Sequence, residues 1–214
     1  MAGKFVTFEG GEGAGKSTQI RRLAERLTAS GREAVVTREP GGTPTAEAIR
    51  RFLLSGAVKL GAAEEAVLFA AARADHVDRV IRPALAAGRW VLSDRFADST
   101  RAYQGATGGA DADLLDALDR VAVGRTRPDL TIVLDIPAEA GLARAGDRRT
   151  RGGESPDRFE RDDVATHEAR RRAFLAIAER EPDRCVVVDA AASEEAVAEA
   201  VWRAVSTRLL NEAA

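Results

Sequence analysis

The chain has 214 residues, of which 45% are hydrophobic and 31% are charged, so it can fold around a sizeable core as one domain. Its formal net charge of -2 gives no general electrostatic reason to bind a nucleic-acid polymer, since such binders usually carry a basic surface. The single cysteine, Cys185, excludes an internal disulfide and a cysteine metal site. Because no apolar run is long enough to span a bilayer and a strand begins almost at once, we expect a cytoplasmic protein without a signal peptide.

The first predicted strand, residues 5–8, leads into a glycine-rich loop with the spacing G-x-x-x-x-G-K-S and then into a helix. The loop and the start of the helix comprise Gly10, Gly11, Glu12, Gly13, Ala14, Gly15, Lys16, Ser17 and Thr18. The backbone N–H groups of such a loop point at phosphate oxygens, and the helix N-terminus adds partial positive charge. Lys16 is expected to reach the β- and γ-phosphates of ATP in catalysis, and Ser17 to help hold Mg²⁺.

Four further strands are predicted along the chain, at residues 34–37, 90–93, 130–135 and 185–189, and helical patterns separate them. Strands joined through helices pair in parallel, and their nearly continuous apolar character indicates a sheet covered on both faces. We therefore expect an α/β domain with three layers and a five-stranded parallel sheet.

Charged residues follow three of these strands, where ligands bind to parallel sheets. Arg38 and Glu39 follow the second strand, Asp94 and Arg95 follow the third, and Asp135 is the last residue of the fourth. Because these strand ends lie beside the phosphate loop, we expect the charges to contribute to one site.

Residues 144–160 mix arginines with carboxylates and contain glycine and proline, which interrupt a helix. We predict a mobile lid that brings cationic side chains over a transferring phosphoryl group, with Arg144 contacting ATP. A solvent-exposed corner between two helices is the alternative that the same pattern allows.

A phosphate loop alone occurs in switches, motors and kinases. Guanine-specific switches read their base with an Asn-Lys-x-Asp element, and this chain has one asparagine, Asn211, near its end. Large ATPases need further modules and more chain. A small-molecule kinase fits the length, and a deoxynucleoside kinase or a non-catalytic ATP-binding regulator are the alternatives.

Several side chains suggest a second, sugar-bearing substrate. Polyphosphate repels Glu12 unless this carboxylate faces another group, such as a sugar hydroxyl, or points into solvent. Phe69 and Arg73 lie about one helical turn apart and can bracket a base, although Phe69 alone also fits a core position. Further polar groups suited to a base or sugar edge follow the third strand, at Thr100, Tyr103 and Gln104.

Together these motifs resemble the thymidylate kinase family, from residue 5 to about residue 198. The most discriminating run is Arg-Glu-Pro-Gly-Gly at residues 38–42, which other nucleoside monophosphate kinases lack. The resemblance also rests on residues 8–19, 68–73, 94–96, 99–105, 127–130 and 134–135. It implies the P-loop nucleoside monophosphate kinase fold and transfer of the γ-phosphoryl group of ATP-Mg²⁺ to dTMP.

On the phosphate side, the resemblance implies that Arg38 and Arg95 hold the acceptor phosphate. Asp94 would orient Arg95 and the water shell of Mg²⁺. The phosphate loop has no arginine, and family members of that type place the catalytic arginine in the lid. Arg148 or Arg149 is the expected donor, and the length of the lid leaves the choice between them open.

On the nucleoside side, the resemblance implies that Glu12 holds the deoxyribose 3′-hydroxyl and that Tyr103 crowds the 2′ position. Phe69 would stack on thymine, while Arg73 and Thr100 would bond its edge. The family also suggests a homodimer, although the small apolar residues at 62–87 fit a buried helix equally well. We expect no membrane or nucleic-acid partner, and we expect the two histidines, His76 and His167, at surface or helix-face positions.

Overall fold

The computed structural model describes residues 3–152 and 158–210. Within these ranges, five strands form one parallel sheet: β1 (Phe5–Glu9), β2 (Ala34–Arg38), β3 (Trp90–Asp94), β4 (Leu130–Asp135) and β5 (Cys185–Asp189). Their order across the sheet is β2-β3-β1-β4-β5. The predicted five-stranded parallel sheet is therefore confirmed, and the first three strands each run one residue further than predicted.

Helices connect the strands and lie on both faces of the sheet. They are α1 (Lys16–Ala29), α2 (Pro44–Ser55), α3 (Ala62–His76), α4 (Arg82–Ala86), α5 (Ala97–Thr100), α6 (Ala112–Ala122), α7 (Ala138–Gly152), α8 (Val164–Arg180) and α9 (Glu194–Val205). π-Helical turns at Val77–Ile81, Arg101–Thr107 and Ser206–Leu210 continue α3, α5 and α9. In the described part of the chain, no helix combines the length and apolar character needed to cross a bilayer.

The side chains of β1 show why the strands read as continuous apolar runs. Val6 and Phe8 pack in the core cluster that α1 and α9 complete. Phe5 points to the opposite face, where its ring meets Phe96 edge-on with centroids 4.9 Å apart. Because both faces are buried, apolar residues occupy both sets of alternate positions, although the set that contains Phe5 also holds the buried polar residues Thr7 and Glu9.

The register of the strands gathers the charged residues predicted at their ends. Asp94 of β3 pairs with Phe8 of β1 on one side and with Arg38 of β2 on the other. The carboxyl ends of these three strands therefore form one edge, next to the loop that enters α1.

The predicted lid begins inside a helix, because α7 continues to Gly152. Residues 153–157 lie outside the described residues. Residues 158–162 form turns and bends that lead into α8. The mobility of this segment stays a prediction.

Candidate active site

A cavity of about 380 Å³ lies at the carboxyl ends of β1, β2 and β3. Most of the predicted site residues line it: Glu12, Gly13, Ala14, Gly15, Lys16, Ser17, Thr18, Arg38, Phe69, Arg73, Asp94, Arg95, Thr100, Tyr103, Gln104 and Arg148. Four predicted residues do not line it: Gly10, Gly11, Arg144 and Arg149. The structure thus brings the phosphate-loop and second-substrate residues to one cavity.

The phosphate loop depends on its glycines for positive φ angles, as two of them show. Gly13 and Gly15 have φ values of 67° and 88°, in the left-handed region that other residues avoid. A Cβ at Gly13 would also collide with the carbonyl oxygen of Gly141 in α7. The loop can therefore keep its N–H groups turned inward as α1 begins.

Lys16 is folded back over the loop. Its Nζ donates to the carbonyl oxygens of Gly10 and Gly11, at 3.1 and 2.8 Å. Burial and the positive charge of Arg95 lower the pKa of this buried ammonium group. Gly10 and Gly11 therefore hold the lysine over the phosphate loop.

Ser17 and Asp94 meet at the cavity wall, where the serine Oγ donates to Asp94 Oδ2 over 2.8 Å. A hydroxyl and a carboxylate are oxygen ligands of the kind that Mg²⁺ takes, and this ion keeps several waters and binds few protein groups. Among the described residues, no cluster of three or more His, Cys, Asp or Glu side chains forms an alternative metal site. The donor set fits Mg²⁺ bound mainly through water and phosphate oxygens.

Arg95 is the centre of a polar network beside the phosphate loop. Among the described residues, Arg95 is the one residue other than glycine whose backbone is left-handed, with a φ of 69°. Its backbone N–H donates to Phe8 O over 2.9 Å. Its Nη2 pairs with Glu12 Oε1 at 2.5 Å and donates to the Tyr103 hydroxyl at 3.1 Å. The Tyr103 hydroxyl in turn donates to Glu12 Oε1 over 3.0 Å.

Glu12 therefore faces protein groups, so the alternative in which it points into solvent is wrong. Burial by itself raises the pKa of Glu12, but Arg95, Lys16 and Tyr103 lower it to about 2. Its charge is thus balanced inside the protein, beside the phosphate loop.

Arg73, which also lines the cavity, is the centre of a second, buried polar network. Its Nε donates to Glu39 Oε2 over 2.7 Å, and its Nη2 donates to Thr100 Oγ1 over 2.9 Å. His76 Nδ1 lies 2.9 Å from the other Glu39 oxygen. His76 is fully buried at the end of α3, so of the predicted surface or helix-face positions the surface one is wrong. The reason is that Glu39, 37 residues away, supplies an internal polar partner.

His167 is also buried, at 4% exposure, on one face of α8, so here too the surface alternative is wrong and the helix-face alternative holds. Its Nε2 finds no hydrogen-bond partner among the described residues. Burial and nearby Arg170 lower its pKa, which favours the neutral ring. This face of α8 is covered because α8 packs against the π-helical turn after α5. The two segments are far apart in the sequence, so no local pattern predicts their contact.

Arg38 and Phe69 lie at the rim of the cavity. The Arg38 side chain is 56% exposed, and its Nη2 pairs with Glu47 Oε1 over 3.1 Å. Phe69 faces Phe159 with ring centroids 6.3 Å apart and the planes tilted by 45°. Phe69 is thus part of the cavity wall. A position in the core was the alternative that the sequence allowed.

The lid arginines differ in environment. Arg148 lines the cavity, its side chain is 64% exposed, and it lies 3.9 Å from Glu160. Arg149 Nη1 donates to Glu160 Oε2 over 2.9 Å, and its side chain is 20% exposed. Arg144 Nη1 donates to Ala190 O, after β5, over 2.8 Å. Arg148 is therefore the arginine of the pair that faces the cavity.

Sequence reasoning missed Glu9 as a site residue. This fully buried carboxylate accepts from the Phe96 N–H over 2.7 Å and from Ser99 Oγ over 2.6 Å. Ser99 Oγ in turn accepts from Arg95 Nη1 over 3.1 Å. Burial and the charge of Asp98 raise the pKa of Glu9 to about 8. The sequence could have indicated Glu9, because it is an acidic residue at the end of an apolar strand.

Eight other cavity residues had no individual role predicted. Glu39, Pro40, Phe96 and Ser99 lie in motifs that the sequence singled out, and Glu160 lies in the predicted lid. Arg50, Leu54 and Phe159 had no signal, because they join the site through contacts between distant segments.

Comparisons with known proteins agree with this geometry. A family model described as thymidylate kinase matches residues 8–201. The thymidylate kinase of Rhodopseudomonas palustris is 59% identical over 215 residues, which cover 100% of this chain and 93% of that protein. That of Nitrobacter winogradskyi is 58% identical over 210 residues, covering 98% and 90%. A crystal structure of thymidylate kinase from Ehrlichia chaffeensis matches with a TM-score of 0.78 and 31% identity, over 96% of this chain and 100% of that one. This chain belongs to the thymidylate kinase family.

Proposed function

We propose that this chain transfers the γ-phosphoryl group of ATP to the phosphate of dTMP, giving dTDP and ADP for dTTP synthesis. The observation that carries the proposal is one cavity lined by the phosphate loop and by the acceptor-side arginines Arg38 and Arg95. The relatives named thymidylate kinase support thymidylate as the acceptor.

Charge explains why this arrangement suits a phosphate acceptor. Two anionic phosphates must approach each other, and Lys16, Arg95 and Arg148 line the same cavity. Fixed cations that are already in place lower the barrier, because little reorganisation is needed when charge develops. A deoxynucleoside kinase acts on a neutral hydroxyl, which needs a carboxylate base and no such set of arginines.

The carboxylates near the acceptor are already engaged, which disfavours that alternative. Glu12 pairs with Arg95, and Asp94 accepts from Ser17. A phosphate monoester loses its second proton with a pKa of about 6, so the acceptor is mostly a dianion at neutral pH and needs no general base. Asp94 then serves to position Ser17 and the metal.

Ser17 and Asp94 would hold Mg²⁺, which when bound neutralises charge on the β- and γ-phosphate oxygens. Lys16, held by the Gly10 and Gly11 carbonyls, would move to those oxygens when ATP enters. We assign the catalytic arginine to Arg148, because it faces the cavity while Arg149 donates to Glu160.

On the nucleoside side, Glu12 would accept from the 3′-hydroxyl and Tyr103 would crowd the 2′ position. Phe69 would stack on thymine, with Arg73 and Thr100 near its edge. A base inserted between two rings needs about 7 Å, twice the optimal carbon separation, which is more than the 6.3 Å between Phe69 and Phe159. We therefore expect Phe159 to shift when dTMP binds.

The homodimer predicted from the family would use a face formed by α2, α3 and α6, which pack side by side. Phe52, Val67 and Val121 on these helices are 45%, 47% and 82% exposed. The small residues Ala66, Ala70 and Ala72 of α3 are instead buried in the protein's own core. Val67→Arg should yield monomers in light scattering after gel filtration, whereas Val164→Arg, on α8, should not.

The cytoplasmic location stays a prediction.

The test of function is ADP release from ATP-Mg²⁺ with dTMP, dUMP, UMP or thymidine as separate acceptors. We expect strong turnover with dTMP, weaker turnover with dUMP because one methyl contributes only about 1–3 kcal/mol, and little with the others. Lys16→Met should abolish turnover, while the same change at exposed Lys59 should leave it intact. Turnover with thymidine alone would identify a deoxynucleoside kinase, and ATP binding without turnover would identify a regulator.

A further inference from the structure

A carboxylate fixes the orientation of the Gln104 amide. Gln104 lies in the π-helical turn after α5, lines the cavity and is 2% exposed. Its Nε2 donates to Glu65 Oε2, on α3, over 2.9 Å. An ionised carboxylate can only accept hydrogen bonds, so the NH₂ end of the amide must face Glu65.

Glu65 is itself held from its other side. Its Oε1 accepts from Arg158 Nη2, in the segment that precedes α8. The side chains of Glu65 and Arg158 are 12% and 21% exposed, and the Arg158 guanidinium stacks over the Phe159 ring at 4.3 Å. Since a guanidinium only donates, both oxygens of Glu65 are committed as acceptors.

The consequence is that Gln104 offers its carbonyl oxygen to the cavity. Among the residues that the structure describes, none donates a hydrogen bond to Gln104 Oε1. Thymine and uracil present an N3–H donor beside the O4 acceptor, whereas cytosine presents an N3 acceptor beside an NH₂ donor. Arg73, on the same cavity, has only N–H donors to offer. An acceptor at Gln104 and a donor at Arg73 match the thymine edge and oppose the cytosine edge.

We propose that Glu65 is a positioning residue that fixes the Gln104 amide and so makes the acceptor site select pyrimidines with an N3–H over cytosine. The inference rests on the proposed function and adds to it a residue that does not contact the substrate. If Gln104 were free to turn, it would present its NH₂ group to the N3 of cytosine equally well.

The test replaces Glu65 by glutamine, which has the same shape but can donate as well as accept. Dissociation constants and kcat/KM are measured for dTMP and dCMP on the wild type and on Glu65→Gln. We expect the preference for dTMP over dCMP to fall about tenfold or more, through a higher KM for dTMP and a lower one for dCMP. Glu64→Gln, at the exposed neighbouring position on α3, should keep the wild-type preference.

A purely structural role for Glu65 predicts a different result, since a loosened fold would weaken both nucleotides equally. Gln104→Leu removes the amide, so adding Glu65→Gln to it should change the dTMP/dCMP ratio no further. If Glu65→Gln does not fold, Glu65→Met also removes the acceptor and should lower the preference in the same way. An unchanged ratio in these variants, or a Glu65 effect that persists without Gln104, would overturn the inference.

The binding data separate this inference from the proposed function. A wild type that binds dTMP in preference to dCMP but transfers no phosphoryl group would refute the kinase, while the effect of Glu65 on binding would still support the inference. A wild type that binds both nucleotides equally would refute the role of Glu65.

Discussion

Replacing Tyr103 by phenylalanine removes one oxygen from the polar network that joins Tyr103, Glu12 and Arg95. That oxygen donates to Glu12 over 3.0 Å and accepts from Arg95 over 3.1 Å. The ring should stay in place, because it packs edge-on against Phe159 with centroids 5.6 Å apart and lies under Arg170 at 4.3 Å. The variant therefore tests the hydroxyl with little change in packing.

The expected loss follows from these two contacts. A hydrogen bond to a charged group contributes about 1.5–3 kcal/mol in proteins. The side chains of Glu12 and Arg95 are each 17% exposed and remain paired with each other. Water can therefore replace part of the hydrogen bonding that the two side chains lose. We expect Tyr103→Phe to weaken transition-state binding by about 1–3 kcal/mol, a fall of roughly 5- to 150-fold in kcat/KM for dTMP.

Steady-state kinetics with dTMP, dUMP and UMP measure this effect, together with discrimination at the 2′ position. The dUMP/UMP ratio should fall in Tyr103→Phe, because the hydroxyl that crowds the 2′ position is gone. Thr28→Val, which loses an exposed hydroxyl bonded to Ala24 O on α1, should match the wild type. A Tyr103→Phe enzyme with unchanged kcat/KM and an unchanged dUMP/UMP ratio would refute this reasoning.

Three further predictions concern the phosphate side and its support. Arg148→Ala should lower kcat by about 10³ or more, as for arginine fingers, and Arg149→Ala by less than about tenfold. Asp94→Asn should raise the Mg²⁺ concentration needed for half-maximal activity, since it weakens the oxygen pair with Ser17. Because burial raises the pKa of Glu9 from 4.5 to about 8, the folded state binds a proton that the unfolded state releases. Denaturant titrations should therefore show that the unfolding free energy of the wild type falls, relative to that of Glu9→Gln, as the pH rises from 4.5 to about 8.

Each of these predictions has an opposing result. A larger kcat loss in Arg149→Ala than in Arg148→Ala would reverse the assignment of the catalytic arginine. An unchanged Mg²⁺ requirement in Asp94→Asn would remove that residue from the metal site. A stability difference between wild type and Glu9→Gln that is the same from pH 5 to 8 would contradict the raised pKa of Glu9.

The fold and the phosphate loop could be predicted because their signals are local. The three central strands, β1, β3 and β4, are buried on both faces, so their apolar runs are visible without knowing their neighbours. The phosphate loop depends on a fixed spacing of glycines before Lys16, which one short segment contains. Arg38 and Asp94 could be placed together because both end strands of one parallel sheet.

The polar networks that support the site could not be predicted in the same way. Glu39 meets Arg73 and His76 only when β2 and α3 pack, and Glu65 meets Gln104 across 39 residues. A buried charge and an exposed one look alike in the sequence, and only the fold reveals which has an internal partner. This is why a surface position was left open for the two histidines, and why Glu9 and Glu65 were missed.

We expect the γ-phosphoryl group of ATP to pass to the phosphate of dTMP in this cavity. Phosphorus NMR of the wild type with ATP-Mg²⁺ and dTMP follows both nucleotides and inorganic phosphate in one sample. We predict that dTDP and ADP appear in equal amounts without inorganic phosphate, and that Lys16→Met yields neither. Conversion of ATP to ADP and inorganic phosphate while dTMP stays unchanged would contradict the account.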